Sequence, residues 1–143
     1  MGPKTARDGK KYSFIHTMDE ILQLGRDMAT GNVGLLLDAY HWYTSGGVMT
    51  DLERLTDADI VDVHVNDAPA GVPRDEQQDL VRTLPGETGM IGVPAFLKAL
   101  GRAGYNGPVM VEPFSKRLRN VAAEEAVRLT AEALDGVWKE AGL

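Results

Sequence analysis

Cysteine is missing from all 143 residues of the chain. Its absence excludes disulfide bonds, thiolate metal ligands and a cysteine nucleophile, and it makes the cytoplasm the expected compartment. Basic residues are also few, with 15 Lys and Arg against 21 Asp and Glu, so the net charge at pH 7 is −6. Because phosphate groups are bound by basic surfaces, this balance argues against nucleic acid as a partner.

Long apolar runs are missing as well. No segment approaches the ~20 apolar residues that cross a bilayer, so no membrane span is expected. Residues 1–11 carry basic side chains, but no apolar stretch follows them, so no signal peptide is expected. What remains is the composition of an ordinary globular protein, 43% hydrophobic and 25% charged, long enough for one domain with its own core.

Three short apolar segments each end in a residue that can bind a divalent metal ion. They are the predicted strands 33–37, 60–63 and 108–111, followed by Asp38, His64 and Glu112. A helical segment comes after each strand, and parallel strands that alternate with helices direct their carboxyl ends to one face. We therefore expect the three side chains to converge on a metal site. The first run has no polar alternation, which predicts a strand buried on both faces.

Capping and stop signals mark the helices. Thr17 and Glu20 form a capping box that predicts the start of the first helix, and Gly31 predicts its end. Asn120 is expected to cap the last helix. The further predictions are helices at about 49–55, 94–103 and 120–140, a loop at 39–47, a second strand extending over 59–65 and a long connection at 66–92.

Four motifs in a fixed order resemble a known family. They are GLLLDAYH at 34–41, VHVND at 63–67, PGE at 85–87 and GPVMVEP at 107–113. Together they are similar to the sugar phosphate isomerase/epimerase family, the xylose isomerase-like TIM barrels. That family includes ketose 3-epimerases and the isomerases and dehydratases of inositol catabolism.

The resemblance implies a (β/α)8 barrel with one divalent ion, often Mn or Mg, held by Glu, Asp, His and Glu from the last four strands. Asp38, His64 and Glu112 match the last three ligands, and the first glutamate would precede Met1. His41 matches a substrate-binding histidine, and Arg74 matches a substrate-binding arginine. Residues 1–143 are therefore expected to be an α/β partial TIM barrel, the C-terminal three β/α units without the first five.

The implied reaction moves a proton between adjacent carbons of a small sugar, sugar phosphate or keto-inositol through an enediolate. Because the first glutamate is absent, this chain by itself is expected to be a poor or inactive isomerase. The metal would chelate two neighbouring oxygens. Glu112 would be both a ligand and one of two acid/base carboxylates, Asp38 and His64 would be ligands only, and His41 and Arg74 would contact substrate. Considered singly, Asp38 and Glu112 could instead cap helices or begin loops, and His64 could be an interior histidine.

Two other functions stay open at this point. One is a non-catalytic half-barrel that needs a partner, either an N-terminal half-barrel or a second copy, because a partial barrel leaves two strand edges unpaired. Its interior is expected to be lined by Leu35, Leu37, Val61, Val63, Val109 and Val111. The other is a relative of apurinic endonucleases, which share the fold and use three zinc ions. The acidic balance and the three histidines argue against that relative.

Overall fold

Three parallel strands form the sheet in the computed structural model, which describes residues 15–143. They lie in sequential order and are β1 (Leu35–Asp38), β2 (Ile60–Val65) and β3 (Val109–Val111). Within this described part of the chain, five α-helices accompany them: α1 (Met18–Met28), α2 (Ala39–Thr44), α3 (Met49–Leu52), α4 (Val93–Arg102) and α5 (Ala123–Ala141). The predicted parallel, sequential α/β arrangement is confirmed.

The first turns of α1 and α4 form where the local sequence signals predicted them. The Thr17 hydroxyl accepts a hydrogen bond from the Glu20 amide at 3.3 Å, and the Glu20 carboxylate accepts one from the Thr17 amide at 2.9 Å. Helix α1 nevertheless ends before Gly31, because Ala29 already adopts a left-handed conformation with φ of 51°. Helix α4 carries Pro94 in its first turn, where the missing amide has no helical partner to lose.

Three predicted boundaries were wrong. The segment predicted as a loop at 39–47 begins with α2, because the carboxylate of Asp38 caps the first amides. Helix α3 ends at Leu52 rather than near residue 55. Asn120 ends a 3-10 turn (Leu118–Asn120) and does not cap α5: the backbone at Val121 and Ala122 is extended, so α5 begins only at Ala123.

The two faces of the sheet differ in burial. Leu35 and Leu37 of β1 and Val63 of β2 pack in the core with Phe96 of α4. On the opposite face Leu36 is 44% exposed, and alternate residues of a strand point to opposite sides. The run at 33–37 is therefore not buried on both faces, contrary to the prediction.

The expected lining of the barrel interior is corrected by the same alternation. Leu36 is paired with Asp62, and Asp38 with His64, so these side chains share the face that carries the predicted ligands. Met110 of β3, paired with His64, is 44% exposed. Most of the residues that were expected to line the barrel interior pack instead on the face of the sheet that the helices cover. Val61 is 57% exposed, at the point where the register between β1 and β2 shifts.

The long connection at 66–92 is held by one buried carboxylate. Asp67 is 0% exposed and accepts hydrogen bonds from the amides of Thr88 (3.1 Å), Gly89 (2.6 Å) and Ile91 (3.0 Å). Asp67 also forms an isolated antiparallel bridge with Thr83. These contacts fold the connection back over the carboxyl ends of the strands. No helix within residues 15–143 is long and apolar enough to cross a membrane.

Candidate metal centre

The structure brings together the three side chains that follow the strands. Asp38, His64 and Glu112 each offer one ligand atom, and these atoms all lie within 4.8 Å of one another. The Nδ1 atom of His64 is 3.8 Å from Asp38 Oδ2 and 3.8 Å from Glu112 Oε2. Two carboxylates and an imidazole are a donor set that suits Zn²⁺ or Mn²⁺, and three protein ligands leave coordination positions open. The residues therefore fit a divalent ion.

Asp38 serves the helix and the site with different oxygens. Its Oδ1 accepts hydrogen bonds from the amides of Tyr40 (2.7 Å) and His41 (3.1 Å), which caps α2. Its Oδ2 faces the cluster, 3.8 Å from His64 Nδ1. The helix cap fixes the rotamer of a carboxylate that is only 2% exposed, so capping and ligation are compatible roles for this residue.

Arg82 is the charged neighbour that sequence reasoning missed. Its Nη1 donates to Asp38 Oδ2 at 2.9 Å and lies 2.9 Å from Glu112 Oε2, and its Nη2 donates to Asp79 at 2.7 Å. The side chain is 1% exposed, and the guanidinium lies over the ring of Tyr40, 4.6 Å from its centroid. The available signal was a lone arginine in the stretch LVRTL at 80–84, which has no other charged residue.

The charge balance at Arg82 favours its cationic form. Burial lowers the pKa of the guanidinium, but the carboxylates of Asp38 and Asp79 outweigh that effect and raise the pKa above its ordinary value. One guanidinium thus faces three carboxylates, from Asp38, Asp79 and Glu112. The cluster retains an excess of negative charge, which attracts a cation.

His41 lies beside Arg82 at the edge of the cluster. Its Nε2 is 3.2 Å from Arg82 Nη2 and 3.5 Å from Asp79 Oδ1. Burial lowers the pKa of the imidazole, and Arg82 lowers it further, whereas Asp38 and Asp79 act in the opposite direction. A neutral imidazole can accept the guanidinium N–H at Nε2. The observed contacts of His41 support Arg82, and its contact with substrate stays a prediction.

Arg74 contacts an aromatic ring, whereas Arg82 contacts the carboxylates of the cluster. The Arg74 guanidinium lies over the ring of Tyr43, 4.3 Å from the centroid, in the 3-10 turn Arg74–Glu76. The bridge between Asp67 and Thr83 brings Arg82, rather than Arg74, over the strand ends. Substrate binding by Arg74 stays a prediction.

Comparison with known proteins agrees with this fold. A family model described as a xylose isomerase-like TIM barrel matches residues 6–137. The chain belongs to the xylose isomerase-like TIM barrel family. A solved xylose isomerase domain protein from Alicyclobacillus acidocaldarius is 32% identical with a TM-score of 0.79, over 91% of this chain and 46% of that one. An IolI protein solved with a bound zinc atom is 26% identical with a TM-score of 0.78, over 86% of this chain and 44% of that one.

Curated relatives include isomerases and epimerases of sugar-like molecules. An inosose isomerase from Halalkalibacterium halodurans is 31% identical over 84% of this chain and 42% of its own length. A ketose 3-epimerase from Arthrobacter globiformis is 27% identical over 89% of this chain and 37% of its own length. The chain thus spans less than half the length of these relatives.

Proposed function

We propose that this chain contributes the metal-binding part of an isomerase or epimerase that acts on a sugar, sugar phosphate or keto-inositol. The observation that carries the proposal is the convergence of Asp38, His64 and Glu112 at the strand ends, against a buried guanidinium. The inosose isomerase and ketose 3-epimerase relatives support the substrate class. A bound divalent ion would polarise neighbouring substrate oxygens and stabilise the negative charge that develops when a proton leaves carbon.

Glu112 would be the carboxylate that exchanges a proton with substrate. Its side chain is 33% exposed, whereas that of Asp38 is 3% exposed, so Glu112 is the more accessible of the two. Its Oε2 is 2.9 Å from Arg82 Nη1, and this ion pair orients the carboxylate. Positioned carboxylates of this kind act as general bases and acids.

Arg82 would hold the carboxylates of Asp38 and Glu112 in position beside the substrate. All five N–H groups of its guanidinium already face acceptors, from Asp38, Asp79, Glu112 and His41, so Arg82 would act on substrate through the carboxylates that it orients. A fixed positive charge next to the proton-transfer carboxylate also stabilises a developing oxyanion in a partly buried site. His41 supports this guanidinium from the other side.

Metal binding tests the proposal directly. We expect isothermal titration with Mn²⁺ or Zn²⁺ to show one saturable site in this chain, and Asp38→Asn, His64→Gln and Glu112→Gln each to weaken it at least about tenfold, since each removes one of three ligands. Glu140→Gln is the matched control, because Glu140 is exposed in α5. Equal affinity in the ligand variants and the control would refute the metal centre.

Activity tests the role of Glu112. In metal-loaded preparations that epimerise ketohexoses or inososes, Glu112→Gln should lower kcat by about 10²–10⁴, the usual cost of removing a positioned acid/base group. Glu140→Gln should leave turnover unchanged. Retention of full kcat in Glu112→Gln would show that another group transfers the proton.

A second proposal is that this chain is a half-barrel that works only with a partner. It is supported by the exposure of Leu36 and Met110 on the ligand face, and by the open edge of β3 beside an apolar groove of about 590 Å³. The groove is lined by Met110, Val111, Val127, Leu134 and other residues of β3 and α5. The occupant would be the remainder of a barrel or a second copy of this chain, since an unpaired edge strand invites pairing.

Self-association tests the half-barrel proposal. The chain alone should elute from gel filtration as concentration-dependent oligomers, and Val127→Glu should shift it toward monomer, because Val127 is 70% exposed in the groove. Met28→Glu is the control, since Met28 is 51% exposed on α1. A stable monomer at every concentration, with normal metal-dependent turnover, would refute the requirement for a partner.

The endonuclease alternative receives no support from the site. Its resemblance implies three zinc ions, whereas residues 15–143 contain the single cluster formed by Asp38, His64 and Glu112.

A further inference from the structure

The imidazole of His64 lies between carboxylates on both of its sides. Its Nδ1 faces Asp38 and Glu112, each at 3.8 Å, as the other ligands of the proposed centre require. Its Nε2 points the other way and is 3.7 Å from Oδ2 of Asp62. Asp62 takes no part in the predicted ligand set, so its position calls for a separate role.

Strand geometry places Asp62 next to His64. The two residues are two apart on β2, so their side chains leave the same face of the sheet. Asp62 pairs with Leu36 and His64 with Asp38, which puts Asp62 one layer below the ligands. Its Oδ1 accepts a hydrogen bond from the amide of Val63 at 2.8 Å, and this contact leaves Oδ2 directed toward the imidazole.

We propose that Asp62 is a positioning residue that accepts the Nε2–H of His64 and thereby makes Nδ1 the metal-binding atom. The inference rests on the proposed metal centre and extends it by one residue. Histidines that bind metals commonly donate their second N–H to a carboxylate, which fixes the tautomer and orients the ring. The 3.7 Å contact is longer than a hydrogen bond. A cation at Nδ1 makes the Nε2 proton more positive, so binding strengthens its attraction to Asp62.

The experiment is a Zn²⁺ titration of the whole chain and its variants by calorimetry. Asp62→Asn and Asp62→Ala should weaken Zn²⁺ binding by about 10–100-fold, the usual cost of losing such a partner, and Asp62→Glu should recover part of it. Asp57→Asn is the matched control: it makes the same charge change at an exposed residue before β2. Its affinity should match that of the unaltered chain.

A spectroscopic measurement separates positioning from a loss of folding. In the ¹⁵N-labelled, Zn²⁺-loaded chain, two-bond ¹H–¹⁵N spectra should show His64 with a protonated Nε2 and a metal-bound Nδ1. His16 and His41 are the only other histidines, so His16→Gln and His41→Gln assign the signals. Coordination through Nε2 would overturn the inference, whatever the affinities.

The outcomes distinguish this inference from the metal centre on which it rests. Zn²⁺ binding that is unchanged in Asp62→Asn and Asp62→Ala would overturn the role of Asp62 and leave the centre intact. Absence of saturable Zn²⁺ binding in the unaltered chain would overturn both. Weakened binding in both variants, partial recovery in Asp62→Glu and an unaffected Asp57→Asn would support the inference.

Discussion

Arg82→Met is expected to lower the free energy of unfolding by about 3–5 kcal/mol, the usual cost of removing one partner from a buried ion pair. The Arg82 side chain is 1% exposed, and its loss leaves the buried carboxylate of Asp38 without its cation. Glu112 and Asp79 lose the same partner. Urea unfolding in metal-free buffer measures the effect, with Arg102→Met, at an exposed position in the last turn of α4, as the control.

Divalent metal should reverse part of this loss. A cation bound by Asp38, His64 and Glu112 would replace the missing positive charge. An ion that binds only the folded state also stabilises that state by mass action. Saturating Zn²⁺ should therefore stabilise Arg82→Met more than it stabilises the unaltered chain. A loss below about 1 kcal/mol without metal, or equal stabilisation of both proteins by Zn²⁺, would contradict the assigned role of Arg82.

Asp67→Ala is expected to cost about 3 kcal/mol or more, because the buried amides of Ala68 and Ile91 and the partly buried amides of Thr88 and Gly89 lose their acceptor together. The Asp67 carboxylate binds the amides of Thr88, Gly89 and Ile91, and each buried donor left without a partner costs about 1–3 kcal/mol. Asp67→Asn should be milder, since its amide oxygen can still accept. Urea unfolding gives the cost, and hydrogen exchange at the three amides should quicken in Asp67→Ala.

The control for Asp67 is Asp75→Ala, at an exposed position of the same connection. Its stability should stay within about 0.5 kcal/mol of the unaltered chain, as for most surface substitutions. An equally small effect in Asp67→Ala, with slow exchange retained at Thr88, Gly89 and Ile91, would show that the connection is held by other contacts. If Asp67→Ala does loosen this connection, metal binding at the site should weaken too, because the connection carries Arg82.

The sequence alone determined the three strands, four of the helices apart from some of their ends, and three of the candidate ligands. Apolar runs that end in Asp38, His64 and Glu112 indicate parallel strands, and parallel strands separated by helices must present their carboxyl ends together. The convergence of the three side chains follows from that topology, although 74 residues separate the first from the last. Helix capping also depends on residues that are close in the sequence, so the capping box formed by Thr17 and Glu20 could be predicted from the sequence.

Contacts between distant segments decided the rest. Arg82 reaches Asp38 across 44 positions because Asp67 folds the connection back over the sheet, and the local sequence around Arg82 does not show which carboxylates it will meet. The inner and outer faces were also misassigned, since an apolar strand shows no alternation, and the side that packs on α4 is chosen only when the helix docks. Short-range preferences of neighbouring residues fix where helices and strands form. Which charged groups pair in the interior, and which face of the sheet is buried, depends instead on contacts between segments that are distant in the sequence.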